Sequence, residues 1–147
     1  MIASATWKPE NQYEAKSESG HSLTFDAGPE HALGPTPMEA VLMALCGCTS
    51  VDVVSILRKK REPIAGLTVS ARAEQSNAPP RVFTHIRLVY RVEGPVSRTA
   101  MEGAVALSKN KYCSVSKMLE KAAAIDFTIE YADGTSEEVT SVPQGDS

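Results

Sequence analysis

Two cysteines far apart in the chain are the residues best suited to covalent chemistry. Cys48 lies inside an apolar run from Met38 to Leu57, and Cys113 opens a short amphipathic segment, Cys113-Ser114-Val115-Ser116-Lys117-Met118-Leu119. Two thiols placed where helices could present them suggest a redox pair, with peroxide or disulfide chemistry as the first expectation. Each has a plainer reading. Free cysteine is among the most buried residue types, and a thiol in apolar surroundings has a raised pKa and is inert. Cys48 is therefore either a nucleophile assisted by its surroundings or a packed core thiol. If Ser114 caps a helix, Cys113 would sit at the positive end of that helix, where thiolate is favoured; otherwise it is a small residue in a joint between helices. Cys46 stands two residues before Cys48, roughly 200° around a helix, so both cannot face one site, and it is assigned to packing. A Cys-x-Cys pair on a helix has the wrong geometry for zinc and no ligand at the right spacing, so neither metal nor cofactor is expected.

The other polar residues are weaker candidates. His21, His31 and His85 are scattered over strands and loops, and nothing places one beside a cysteine, so a Cys-His hydrolase or transferase lacks a signature. Glu39 is read first as a capping residue and second as a catalytic carboxylate. Asp52 lies one turn beyond Cys48 on the same helix face. It is the only charge between Glu39 and Arg58, and a carboxylate there needs a partner. Next to a thiol it would oppose ionisation unless a cation intervenes.

The elements that must position these residues are legible from pattern. Ile2–Trp7, Tyr13–Ser17 and Ser22–Phe25 read as short strands, followed by a loop over Asp26–Thr36 with Gly28-Pro29 and Gly34-Pro35 as breakers. Thr36 as N-cap, Pro37 at the first helical position and Glu39 three residues after the cap announce a long helix. Arg58-Lys59-Lys60-Arg61 complements its C-terminal dipole and Pro63 stops it. Such a helix spans roughly 35 Å and is apolar around most of its circumference, so it must be enclosed by protein. One small chain has little material for that, and a second copy is the economical cover. Two long alternating strands follow, Ile64–Glu74 and Arg81–Glu93, the second with a phase change near Thr84. Ser97 caps a further helix, a second short helix runs from about Ser114 to Ala123, and Ile125–Tyr131 is a last strand. Asp133-Gly134 then turns the chain into a polar tail. The order is that of an α+β fold.

Bulk properties bound the function. The 147 residues fit a single domain over 1–147, with 42% hydrophobic and 22% charged residues. A net charge of −3 and 5% aromatics offer neither a basic field nor stacking surfaces, so nucleic acid is an unlikely partner. No secretory signal is visible at the N-terminus. Asp52 near the middle of the 38–57 run would cost ~2.5–3.5 kcal/mol at a bilayer centre, so a core helix is expected there rather than a membrane span. An odd cysteine count without a disulfide framework points to the reducing cytoplasm.

The stretch Gly34-Pro35-Thr36-Pro37-Met38-Glu39-Ala40-Val41-Leu42-Met43-Ala44-Leu45-Cys46-Gly47-Cys48 resembles the first cysteine motif of the OsmC/Ohr family of organic hydroperoxide reductases, and Cys113-Ser114-Val115-Ser116-Lys117 resembles the second. The order of elements agrees over nearly the whole chain. The resemblance implies an intertwined α+β homodimer, with antiparallel sheets around two central helices buried together and a site at the subunit interface. It implies that Cys48 attacks the peroxide and becomes a sulfenic acid, and that Cys113 condenses with it to a disulfide. It also implies an organic hydroperoxide substrate, alkyl or lipid in kind if Val41, Leu45, Met118 and Leu119 wall the site, and a lipoylated or thioredoxin-like dithiol reductant. The family's reductases carry a glutamate ten residues before the reactive cysteine and an arginine on an earlier strand. Here the ten-before residue is Met38, with Glu39 one later, and His21-Ser22-Leu23-Thr24-Phe25-Asp26 has no arginine. The cation is then absent or comes from another basic residue, for which Lys117 and Arg58 are candidates. The alternative functions are a dimeric module that binds a small apolar ligand without fast catalysis, and a redox-responsive interaction protein.

Overall fold

The computed structural model describes residues 1–139, so most of the expected polar tail lies outside them. The chain packs as two compact units, one from Met1 to Met43 and one from Ala44 onward.

The first unit is an antiparallel three-stranded sheet, β1 (Ala3–Trp7), β2 (Gln12–Ser17) and β3 (Ser22–Asp26), in sequential order. Its loop is organised by Asp26, whose carboxylate accepts the Gly28 N–H at 2.8 Å and the Leu33 N–H at 3.1 Å. Those two backbone donors hold the Asp26 carboxyl below its ordinary range. The unit has no apolar core of its own. Among residues 1–43 only Asp26 and Gly28 are buried, while Ile2, Trp7, Tyr13 and Leu23 are exposed.

The long helix α1 runs from Pro37 to Lys59. Its start is the expected capping box: the Glu39 N–H donates to Thr36 Oγ1 at 3.2 Å and the Thr36 N–H donates to Glu39 Oε1 at 3.0 Å. By length and composition this helix could cross a membrane, but its Leu45, Thr49, Val53 and Leu57 form a stripe at every fourth position that is buried in the second unit.

The second unit is a four-stranded sheet, β4 (Gly66–Gln75), β5 (Phe83–Glu93), β6 (Ala124–Glu130) and β7 (Ser136–Glu138), in that order. The β4–β5 hairpin is antiparallel, and its register slips between Glu74 and Gln75 so that Gln75 faces Phe83 and Glu74 faces His85. Thr84 is the extra residue, which explains the phase change read there. Past it, Ile86, Leu88, Tyr90 and Val92 face inward and Arg87, Arg91 and Glu93 outward. β5 and β6 pair in parallel, the exception to the otherwise antiparallel sheets. That pairing requires a crossover, supplied by α2 (Arg98–Leu107), a π-helical turn (Ser108–Tyr112) and α3 (Ser114–Leu119). Ser97 caps α2 as expected, its hydroxyl accepting the Ala100 N–H at 3.1 Å. The short helix ends at Leu119, before the expected Ala123. β7 is a strand where a polar tail was expected: Gly134, at φ +85°, turns the chain back so that β7 pairs with β6. Its sequence, Ser136-Glu137-Glu138, is too short and polar to announce a strand.

Thr36→Ala removes one half of the capping box and should lower stability by roughly 1 kcal/mol in chemical denaturation. Glu39→Gln keeps an acceptor oxygen for the Thr36 N–H and should cost less.

Candidate functional site

The second unit brings two of the expected residues together. Cys48 is half-buried on α1 and Cys113 is fully buried, and both are free thiols. Cys113 sits between the π turn and α3. The π turn closes through the Cys113 N–H, which donates to the Ser108 carbonyl five residues back at 2.8 Å. Cys113 is itself the N-cap of α3: with φ −76° and ψ 100° it leaves the helix, and its Sγ accepts the Ser116 N–H at 3.4 Å. The expectation that Ser114 would cap this helix is corrected, because the sulfur does the work of a capping oxygen. Ser116 Oγ in turn donates to the Cys113 carbonyl at 3.1 Å.

Of the two readings left open for Cys113, burial favours the packed thiol over the helix-end thiolate. Burial pushes the Cys113 thiol up, the hydrogen bonds from Ser116 pull it down, and the neighbouring Cys48 thiol pushes it up again. Desolvation outweighs the end of a helix of 6 residues. Cys113 is therefore a protonated thiol at neutral pH. Cys48 is the neighbouring thiol that acts on Cys113. Cys46 is half-buried; burial raises its thiol as well, which suits the packing role expected of it.

Asp52 has the partner it needed. Ser108 Oγ donates to Asp52 Oδ2 at 2.9 Å. The same Ser108 oxygen lies 2.8 Å from Thr49 Oγ1, which lies 2.7 Å from the Tyr90 hydroxyl. Thr49, Ser108 and Tyr90 are all fully buried. Since the Ser108 proton goes to Asp52, Thr49 must donate to Ser108 and Tyr90 to Thr49, a run of donors ending on the carboxylate. Burial holds the Tyr90 phenol far above its ordinary range, with the Thr49 bond opposing, so Tyr90 keeps its proton. Composition and spacing did not single out Thr49, Tyr90 or Ser108. The signal that pointed to them was Asp52, a lone charge on an apolar helix.

The remaining expectations divide. Glu39 belongs to the first unit, where its carboxylate serves the helix cap and is held below its ordinary range by the Thr36 N–H. Lys117 pairs with Glu120 at 3.1 Å, and Arg58 is exposed at the end of α1. β3 brings no arginine. Of the expected apolar walls, Leu45 is fully buried and Met118 is 66% exposed. His85 pairs with Asp126 at 2.5 Å on the sheet. Among the described residues no group of three His, Cys, Asp or Glu could hold a metal ion.

The chain has clear relatives. The family model described as OsmC-like protein matches residues 28–130. Protein YhfA of Escherichia coli K12 is 42% identical over 131 residues, covering 88% of this chain and 97% of that protein. The crystal structure of an OsmC-like protein from Mycoplasma pneumoniae superposes with a TM-score of 0.78 at 22% identity, covering 88% of this chain and 95% of the other. The organic hydroperoxide resistance protein OhrB of Bacillus subtilis superposes with a TM-score of 0.65 at 15% identity over 88% of this chain and 98% of its own, a likeness of fold.

With Cys46 and Cys48 replaced by alanine and serine, burial remains the first cause raising Cys113. Ultraviolet titration of its thiolate should then give a midpoint above the ~8.5 of a free cysteine. A midpoint below that value would mean that the helix end dominates.

Proposed function

Because the chain belongs to the OsmC-like family, we propose that it is a thiol peroxidase for organic hydroperoxides, with Cys48 the attacking and Cys113 the resolving sulfur. The observation that carries the proposal is the meeting of a half-buried thiol and a fully buried one from segments far apart in sequence. The half-buried one is open to a substrate, and the buried one is sheltered from it. Cys48 sulfur takes the terminal peroxide oxygen as the O–O bond breaks, the alcohol leaves with the proton, and Cys48 becomes a sulfenic acid. Cys113 sulfur then attacks Cys48 sulfur, hydroxide leaves with the Cys113 proton as water, and a disulfide remains. A dithiol reductant, lipoylated or thioredoxin-like, returns both thiols in the cytoplasm. The raised pKa of Cys113 suits this order, since a protonated, buried thiol does not compete for the peroxide. Glu39 keeps a supporting role at the start of the helix that carries Cys48.

The working unit in this reading is an intertwined homodimer of one OsmC-like domain. Two surfaces support it. Only 22% of the most apolar window of α1 is buried, and Met43 and Val51 are 55% and 70% exposed. The first unit's sheet likewise has no core to cover it. Exposed apolar area of this kind marks an interface. The alternative, a dimeric module that binds a small apolar ligand, is favoured by one feature, the lack of an arginine on β3.

Cys48→Ser should reduce peroxide consumption to background. Cys113→Ser should consume one equivalent and stop, leaving a sulfenic acid on Cys48 that dimedone traps. Peroxide consumption by the parent protein no faster than background would leave the binding module as the better reading, and consumption unchanged in Cys48→Ser would contradict Cys48 as the attacking sulfur. Sedimentation at micromolar concentration should show twice the chain mass, and a folded monomer would contradict the interface.

A further inference from the structure

The chain Tyr90–Thr49–Ser108–Asp52 is a buried polar assembly that neither the proposed peroxide step nor ordinary packing uses. Its place is specific. Thr49 is next in sequence to Cys48, and Asp52 is one turn further along α1. Both hold the Ser108 hydroxyl, at 2.8 and 2.9 Å. Ser108 opens the π turn, and its carbonyl holds the Cys113 N–H at 2.8 Å. One residue thus joins the helix of the first sulfur, by its side chain, to the second sulfur, by its backbone.

The π register is the second observation. A turn closed over five residues holds one residue more than an α-helical turn, and such insertions are rare and concentrate at functional sites. Relaxation to the α register would rotate every following side chain by roughly 100° about the axis. Cys113 is the first residue after the turn, so the register decides where its sulfur points. The two side-chain hydrogen bonds on Ser108 fix that register against α1.

We propose that Ser108 and Asp52 are positioning residues that aim Cys113 at Cys48 by locking the π turn to α1. The proposal rests on the thiol-pair reading above, but not on peroxide being the oxidant. In this account Asp52 acts as a hydrogen-bond acceptor for Ser108, and its charge is incidental.

The test uses a small neutral disulfide, 4,4′-dithiodipyridine, on the full-length protein in a Cys46→Ala background. Cys48 sulfur attacks the reagent and its S–S bond breaks, leaving a mixed disulfide and releasing one 4-thiopyridone. Cys113 sulfur then attacks Cys48 sulfur, forming the protein disulfide and releasing a second 4-thiopyridone. Two thiols are oxidised and one reagent disulfide is reduced, and the released chromophore resolves the two phases. Ser108→Ala and Asp52→Ala should leave the first phase within about twofold and slow the second by roughly tenfold or more, the scale that a misplaced reacting group produces. Asp52→Asn retains an acceptor and should restore the second phase to within about threefold of the parent, as expected if geometry sets the rate. Asp52→Ala, at a half-buried position, carries the test should Ser108→Ala fold poorly. An unchanged second phase in Asp52→Ala would overturn the proposal. So would equal slowing by Asp52→Asn and Asp52→Ala, or a faster first phase in Asp52→Asn, because either assigns the effect to charge. A parent protein without a second phase would overturn both this proposal and the thiol pair, whereas two normal phases without peroxide reduction would overturn only the peroxidase reading.

Discussion

The Thr49 hydroxyl is the point on which the second unit's site depends. It is fully buried on α1, within 2.7 Å of Tyr90 on β5 and 2.8 Å of Ser108 at the head of the π turn. Three elements from distant parts of the sequence meet on one oxygen. In a low-dielectric interior an unpaired hydroxyl costs about 1–3 kcal/mol, so each member of the chain requires the others. No buried side-chain polar atom among the described residues lacks a partner. The network therefore specifies one relative placement of helix, sheet and turn, where apolar packing alone would tolerate small shifts. Cys48 inherits that placement as the covalent neighbour of Thr49, and Cys113 through its N–H, which donates to the Ser108 carbonyl.

Much of this was legible in the sequence, and the failures have physical causes. The capping box at Thr36 and Glu39, the stop after Lys59, the alternating faces of β4 and β5 and the irregularity at Thr84 all follow from local rules that tertiary structure had no reason to override. The short helix after Tyr112 was also visible, but its cap was misassigned to Ser114, because sulfur is a poor acceptor and Cys113 is an unusual N-cap. The ionisation of Cys113 was left open between two readings for a different reason. A helix end is readable from sequence, but burial is not, and burial is the larger effect here. The π turn left no pattern in Ser108-Lys109-Asn110-Lys111-Tyr112. β7 is held by pairing with β6 and not by its own residues. Thr49, Tyr90 and Ser108 were invisible one by one, because each is an ordinary core or turn residue until the other two are in place.

The departures from the family's pattern bear on how fast the proposed first step would run. Nothing on β3 supplies the arginine that the family's reductases use, and Lys117 already pairs with Glu120. Asp52 accepts from Ser108 and so serves as a structural anchor on α1. Met43 and Val51 on α1 are exposed, as are Ile2, Trp7 and Leu23 in the first unit.

The central claim is that Cys48 and Cys113 are chemical partners. Peptide mapping by mass spectrometry, after one equivalent of an organic hydroperoxide is added to the reduced protein, tests it most directly. The account predicts an intrachain disulfide between Cys48 and Cys113, with Cys46 still reduced. A disulfide through Cys46, or three unmodified thiols with the peroxide intact, would contradict it.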